Sequence, residues 1–367
     1  MRFWMHGIGN DIPASVQLLK TLGFEAVVGN DPAMIRQAND AALDVYLCSG
    51  AFTAAARFAG EQFLARDING KPQLWFNSTC PNQPAVRQSN LEAIAQMAHT
   101  SGIKGILIDG ARFASPASSA DPDAFFTCFC PTCEKKAADL GFDFDSIKNA
   151  VRNLYQAMHG NAAALQLADA PGILDWFSFR RQCITEHLLN FNQVVKGVNP
   201  ELLTGIYIFT PSLSALVGQS YQDLSGAIDI FAPMLYRHYT AKEGPACLNH
   251  ELSALVRLLA KHLYSSPAAI SIIAALCQLP LDGFGSAGDL LDGLPPSVIG
   301  SEIRRVKSLL STGVNQVIPI IQLDDDQLLQ SVSGAVQAGA DAINFFHYQE
   351  EWMMKAQPIF EQLRLGG

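Results

Sequence analysis

The chain has 367 residues, 49% of them apolar and only 16% charged, which supplies a large core and excludes a disordered or coiled-coil protein. Lys and Arg total 25 against 34 Asp and Glu, a formal charge of −9 that repels phosphate backbones and anionic lipid heads, so no nucleic acid and no membrane surface is expected as partner. No apolar stretch reaches the ~20 residues of a spanning helix, and Met1-Arg2-Phe3-Trp4-Met5-His6 lacks the order of a signal peptide, so the expected location is cytoplasmic.

Short apolar runs recur at residues 2–6, 25–28, 44–48, 104–109, 203–209, 228–236, 316–323 and 342–348. Most are followed by a helical pattern, and this alternation predicts parallel βα units. Several runs are apolar throughout (Gly105-Ile106-Leu107-Ile108; Ile318-Pro319-Ile320-Ile321), as strands covered on both faces are. Eight such strands close most simply into an α/β (β/α)₈ TIM barrel, read here as a single domain over residues 1–367. Amphipathic helices are predicted at 14–22, 91–99, 176–198, 301–310 and 328–338, each ending near a Gly or Pro stop signal. Residues 268–279 are read as a helix because they are rich in alanine.

Two insertions interrupt the rhythm. Within about 54–90, Asp67-Ile68-Asn69-Gly70 predicts a hairpin, because Asn-Gly suits a two-residue turn. The second, at about 114–174, carries a cluster of cysteines. In a barrel such excursions belong to the loops at the C-terminal ends of the strands, where function sits.

Eight cysteines in so long a chain do not make a disulfide scaffold. Cys128, Cys130 and Cys133 form a C-x-C-x-x-C turn that aims three thiols at one point, and Cys80, beside Pro81, is the candidate fourth ligand for a structural Cys₄ zinc. Cys48, Cys183, Cys247 and Cys277 are isolated packing residues. The order Asn77-Ser78-Thr79-Cys80-Pro81, a helix, the strand 105–109 and then Cys128-x-Cys130-x-x-Cys133 resembles a segment of the family-42 β-galactosidases and related glycosyl hydrolases of the barrel superfamily. In those enzymes one cysteine before strand four and three after it jointly hold a structural zinc. The resemblance covers 77–181, roughly a third of the chain, and includes the Trp176-Phe177-x-Phe179-Arg180-Arg181 helix start; strands seven and eight are more loosely alike. It implies a carbohydrate substrate. The chain departs from the family where an acid/base glutamate follows an asparagine, since here the strand ends Ile108-Asp109-Gly110-Ala111-Arg112-Phe113. That ending is similar to a group of barrel hydrolases of unassigned substrate, and the β-galactosidase mechanism does not carry over.

The ends of the strands are dense in hydrogen-bonding and aromatic groups, the combination that sugar hydroxyls and C–H faces need. Asp109, at the end of an apolar strand with Arg112 close by to hold it ionised, is the candidate nucleophile or base. Asp324, across the barrel, is the candidate proton donor, with Glu350 as the other choice. Asp325 and Asp326 suit the first turn of the next helix. His6, Asn10, Asp11, Arg112, Tyr236, Arg237, His238, Gln322, His347 and Glu350 are the candidate substrate-binding residues. Gly7-x-Gly9 lacks the further glycine or lysine of a nucleotide site, so no organic cofactor is expected. The expected activity is hydrolysis of a glycosidic bond by two carboxylates. The alternatives are a non-catalytic carbohydrate-binding barrel and a metal-dependent isomerase or lyase using His6, Asp109, His238 and His347. A homo-oligomer is compatible with all three.

Overall fold

The computed structural model describes residues 2–54, 56–119, 122–239, 246–310 and 313–365. Eight parallel strands form a ring: β1 (Phe3–His6), β2 (Phe24–Val28), β3 (Asp44–Gly50), β4 (Gly105–Asp109), β5 (Leu203–Phe209), β6 (Ile230–Met234), β7 (Gln316–Val317 and Ile320–Gln322) and β8 (Ile343–Phe346). β8 pairs with β1 through Ile343 and Phe3, and Ile320 of β7 pairs with both Met234 and Asn344. The ring is therefore closed, a (β/α)₈ barrel without an open edge. The all-apolar runs are fully buried, as in Ile106, Leu107 and Ile108, because helices cover the outside while side chains fill the centre. Gly105 is small because β5 lies against it: a Cβ there would sit 2.3 Å from the Leu203 carbonyl oxygen.

The predicted seventh strand is split. Pro319 has no N–H to give to a ladder, so regular pairing lapses at Ile318-Pro319 and resumes at Ile320, although the Pro319 carbonyl still accepts from Asn344 N at 2.9 Å. The sixth strand is shorter than its apolar run, and Tyr236 lies beyond its end, bridged to Cys247. Residues 268–277 of the predicted helix 268–279 are helical, within the helix Ser266–Cys277, which is closed by Gln278 in the left-handed conformation.

Aspartates begin the first two helices. Asp11 caps Ile12–Thr21 through Ala14 N at 3.0 Å, and Asp31 caps Pro32–Asp40 through Ala33 N and Met34 N. Each has a proline in its first turn, where no hydrogen bond is lost.

Both insertions leave the barrel at strand C-termini and meet outside it. Between β3 and β4, Ala65–Arg66 pairs antiparallel with Pro72–Gln73, and the Asp67 carboxylate closes the Asn69-Gly70 turn by accepting from Asn69 N and Lys71 N, both at 2.9 Å. The cysteine loop after β4 docks on this hairpin through Phe129 N to Arg66 O at 2.8 Å. It is tied to the long helix Ala170–Val198 by Trp176 and Arg180. Trp176 Nε1 donates to Thr127 O at 3.3 Å. The buried Arg180 guanidinium donates to the carbonyls of Leu216, Ala114 and Phe125 and lies over the rings of Phe113, Phe125 and Trp176. Among the described residues, no helix is long and apolar enough to cross a membrane.

Candidate active site

At the C-terminal mouth of the barrel lies a cavity of about 330 Å³ whose walls include Asp109, Arg112, Tyr236, Tyr239, Gln322 and Phe346. Its volume is that of a small-molecule site. Asp109 is the last residue of β4. Its Oδ1 accepts from Gly110 N at 2.7 Å, and the chain turns away at Gly110 with a positive φ of +69°. Burial pushes the Asp109 carboxyl above the ordinary range, and the Gly110 N–H and the Arg112 charge oppose it only in part. Arg112 draws the carboxyl down in the expected direction, but burial is the larger effect. Arg112 is itself buried and its guanidinium is engaged elsewhere: it donates to Phe113 O (3.1 Å) and Ser118 Oγ (3.0 Å) and sits 5.1 Å from the centre of the Phe209 ring.

Behind Arg112 is a fully buried acid that sequence reasoning missed. Glu251 accepts from Ser115 Oγ (2.6 Å), Ala117 N (3.0 Å) and Ala246 N (3.0 Å). It binds the wall after β4 to the wall after β6. In the sequence it reads only as a first-turn acid of the helix Leu248–Ala260, which is why nothing local announces it.

His6, on β1, turns into the barrel. Its Nδ1 lies 2.9 Å from Tyr207 Oη, which also receives Asn344 Nδ2 at 3.0 Å. Burial, and His347 after it, lowers His6 to about 4, so the ring is neutral at pH 7 and available as a hydrogen-bonding group. Tyr207 was missed because a search of strand ends passes over a residue two places short of the end of β5; its inward direction follows from two-residue alternation with Gly205 and Phe209.

Other candidates fall outside the cavity. Asn10 and Asp11 are exposed, and Asp11 is occupied as a helix cap. Glu350 is exposed in the first turn of the helix Glu350–Leu365, favourable for the helix dipole. Arg237, expected to bind substrate, is buried and committed to the protein: its guanidinium pairs with Asp325 and Asp326 and donates to Leu294 O at 2.7 Å. Asp325 further accepts from Gln327 N and Ser331 Oγ; the next helix begins at Leu328 with no acid in its first turn, so Asp325 and Asp326 serve as partners of Arg237 rather than as the first-turn acids expected. Breaking a buried pair strands a charge, so Arg237→Ala should lower unfolding free energy by about 3–5 kcal/mol in denaturant titrations.

Asp324 lines a different cavity of about 380 Å³ beside Trp352 and Lys355. Burial raises its carboxyl, with His238 and His347 drawing it back, and its Oδ1 has no partner. His347 packs edge-on against Trp352 and contacts Gln349; His238 lies 3.5 Å from Asp326. Tyr236 and Gln322 do face the Asp109 cavity, and the Gln322 Oε1 is buried without a partner. Among the described residues, only the four cysteines bring three or more metal-ligating groups together, so His6, Asp109, His238 and His347 do not converge on a cation.

Those cysteines form the second centre. Cys80, Cys128, Cys130 and Cys133 are buried with their sulphurs within 4.8 Å of one another. Cys80 Sγ is 3.5 Å from Cys133 Sγ and 3.7 Å from Cys130 Sγ, too far apart for a disulfide bond of about 2.05 Å. A tetrahedral site with metal–sulphur bonds of about 2.3 Å has sulphur–sulphur edges of about 3.8 Å, which the cluster matches. Asn82 N and Arg66 N point at Cys80 Sγ and Cys128 Sγ, each at 3.4 Å, and Asn82 Nδ2 at Cys133 Sγ at 3.3 Å, donors of the kind that stabilise thiolates bound to a cation.

No protein-family model matches the chain, and no curated protein is similar to it in sequence. Solved structures do match. The β-galactosidase of the Antarctic haloarchaeon Halorubrum lacusprofundi superposes with a TM-score of 0.64 at 13% identity, over 99% of this chain and 58% of that one. A GH42 β-galactosidase from G. stearothermophilus gives 0.57 at 10%, over 98% and 56%. The PgaB glycoside hydrolase domain from Bordetella bronchiseptica gives 0.55 at 13%, over 99% and 97%. The chain thus spans less than two thirds of the β-galactosidases and nearly all of the PgaB domain, and its barrel is of the kind found in glycoside hydrolases.

Proposed function

We propose that the chain hydrolyses a glycosidic bond, with Asp109 as the proton donor. The observation that carries this reading is a half-buried carboxyl group at the end of β4, raised by desolvation and facing a cavity lined by Tyr236, Tyr239, Arg112 and Gln322. A general acid works when it is still protonated near the operating pH, and desolvation acts in that direction. Asp324 is the second carboxylate of the proposal. The glycoside-hydrolase barrels that share the fold support the substrate class, and the four-cysteine centre fits a structural zinc, held by Cys80, Cys128, Cys130 and Cys133, whose role is to fix the loops.

One observation favours a second reading, a barrel that binds sugar without cleaving it. Asp109 and Asp324 line different cavities, and the end of β7 that shares the cavity with Asp109 is an amide, Gln322. The two readings separate in one experiment: incubation with a panel of 4-nitrophenyl glycosides and oligosaccharides, following released product and, by calorimetry, binding. Turnover that is lost in both Asp109→Asn and Asp324→Asn supports the hydrolase. Binding without product supports the binding barrel, and turnover intact in Asp109→Asn removes the assignment.

A further inference from the structure

Phe76 is placed where a folding chain gains nothing from a phenylalanine. Ser78 N donates to Trp75 O at 2.8 Å, closing a four-residue turn whose two central residues, Phe76 and Asn77, both have positive φ, +44° and +51°. Such a turn favours Asn-Gly and resists bulky side chains, which rarely adopt the left-handed region. Asn77 suits it and Phe76 does not. The turn is anchored, since Ala54 N donates to Asn77 O (2.7 Å) and Thr79 N to Phe52 O (2.8 Å). The result is a ring 64% exposed at the mouth of the barrel. Strain of this sort at a cavity is a mark of function.

What the ring faces gives the function. Phe76 borders the Asp109 cavity and also a second one of about 320 Å³, floored by Gly50, Ala51 and Phe52. Asp109 and Gly110 line both. The hydroxyl-bonding groups are concentrated in the first, where Tyr236, Tyr239 and Gln322, whose Oε1 has no partner, stand among Met234, Ala246, Cys247 and Phe346; the second is walled by Gly50, Ala51, Phe52 and Phe76 beside Thr53, Asn77 and Ser78.

We infer that the cleft holds a glycoside across Asp109, with the sugar in the polar half and a leaving group that offers a flat apolar face, an aryl ring or the C–H face of a second sugar, stacked on Phe76 in the other. This deepens the proposed hydrolysis and rests on it, because a proton donor to a leaving-group oxygen must stand where the two parts of the substrate join. A ligand with nothing beyond the first ring leaves Phe76 uncovered.

Calorimetric titration, with every protein carrying Asp109→Asn so that the ligand is not consumed and 'wild type' referring to position 76, tests this with three forms of one sugar: the methyl glycoside, the 4-nitrophenyl glycoside and a disaccharide, run for galactose, glucose, fucose, mannose and N-acetylglucosamine. The wild type should bind the 4-nitrophenyl glycoside or the disaccharide about tenfold more tightly than the methyl glycoside, the worth of one aromatic contact. Gain with the nitrophenyl form alone identifies an aryl occupant, and gain with the disaccharide alone identifies a second sugar. In Phe76→Ala and Phe76→Asn the ratio should fall towards one, while Phe76→Asn, relieved of strain, melts at the same or a higher temperature. A packing residue would instead lower the melting temperature and leave the ratio. A wild-type ratio near one, or a ratio unchanged in both variants, overturns the inference and leaves the sugar site standing. Absence of binding by every glycoside overturns the hydrolase reading and this one with it.

Discussion

Asp109→Asn should lower kcat by about 10²–10⁴-fold, the range that a positioned general acid contributes, while leaving the fold intact. The amide keeps the volume of the carboxyl and can still accept from Gly110 N. The sign of the stability change follows from linkage. Burial raises the Asp109 carboxyl above its unfolded value, so its contribution is fully present below the unfolded pKa and is lost as pH rises through the folded one. At neutral pH the neutral variant escapes that loss, and its melting temperature should equal or exceed that of the wild type. The same elevation predicts that kcat/KM in the wild type falls on the alkaline side, as Asp109 gives up its proton. Arg112 holds the carboxyl down against burial, so Arg112→Gln should move the alkaline limb to higher pH. A limb that stays in place in this variant, together with near-normal turnover in Asp109→Asn, would transfer the acid role to another residue.

Cys130→Ser should abolish metal binding and destabilise the excursions outside the barrel. The purified wild type is expected to carry about one zinc per chain by elemental analysis, and the variant none. Loss of a structural metal belongs to the mechanisms that exceed about 4 kcal/mol in a single substitution. The four sulphurs come from two excursions, Cys80 before β4 and Cys128, Cys130 and Cys133 after it. The damage should therefore spread to both, visible as faster amide exchange over residues 65–80 and 122–139. A variant with full metal content and unchanged melting would show that the thiols serve only as packing.

The barrel was legible in the sequence because each strand carries its own signal: a continuous apolar run bounded by Gly, Pro or an aspartate cap, as at Gly105–Asp109 before Gly110. The cysteine centre was legible because three ligands lie within six residues and their turn needs no tertiary information. The site was read less well, and for physical reasons. Arg237 stands among Tyr236 and His238 on the same strand end, but its partners Asp325, Ser331 and Leu294 come from other loops, and only the fold reveals that they satisfy it. Arg112 was expected to dominate its neighbour's charge because sequence gives proximity but not desolvation, which is the larger effect on Asp109. Phe76 was missed because it ends a short apolar run, Leu74-Trp75-Phe76, that reads as packing; its meaning lies in two backbone dihedrals.

Glu251 has a consequence for how the mouth can adapt. Opening the segment after β4 away from the segment after β6 would pull Ser115 and Ala117 off one submerged carboxyl group, leaving it with Ala246 N as its remaining donor in a dry interior, an expensive state. Those two walls therefore travel as one rigid jaw. Room for larger or differently shaped guests has to come from the turn of the β3–β4 excursion around Phe76, where exchanging a few residues reshapes the entrance without disturbing the buried acid.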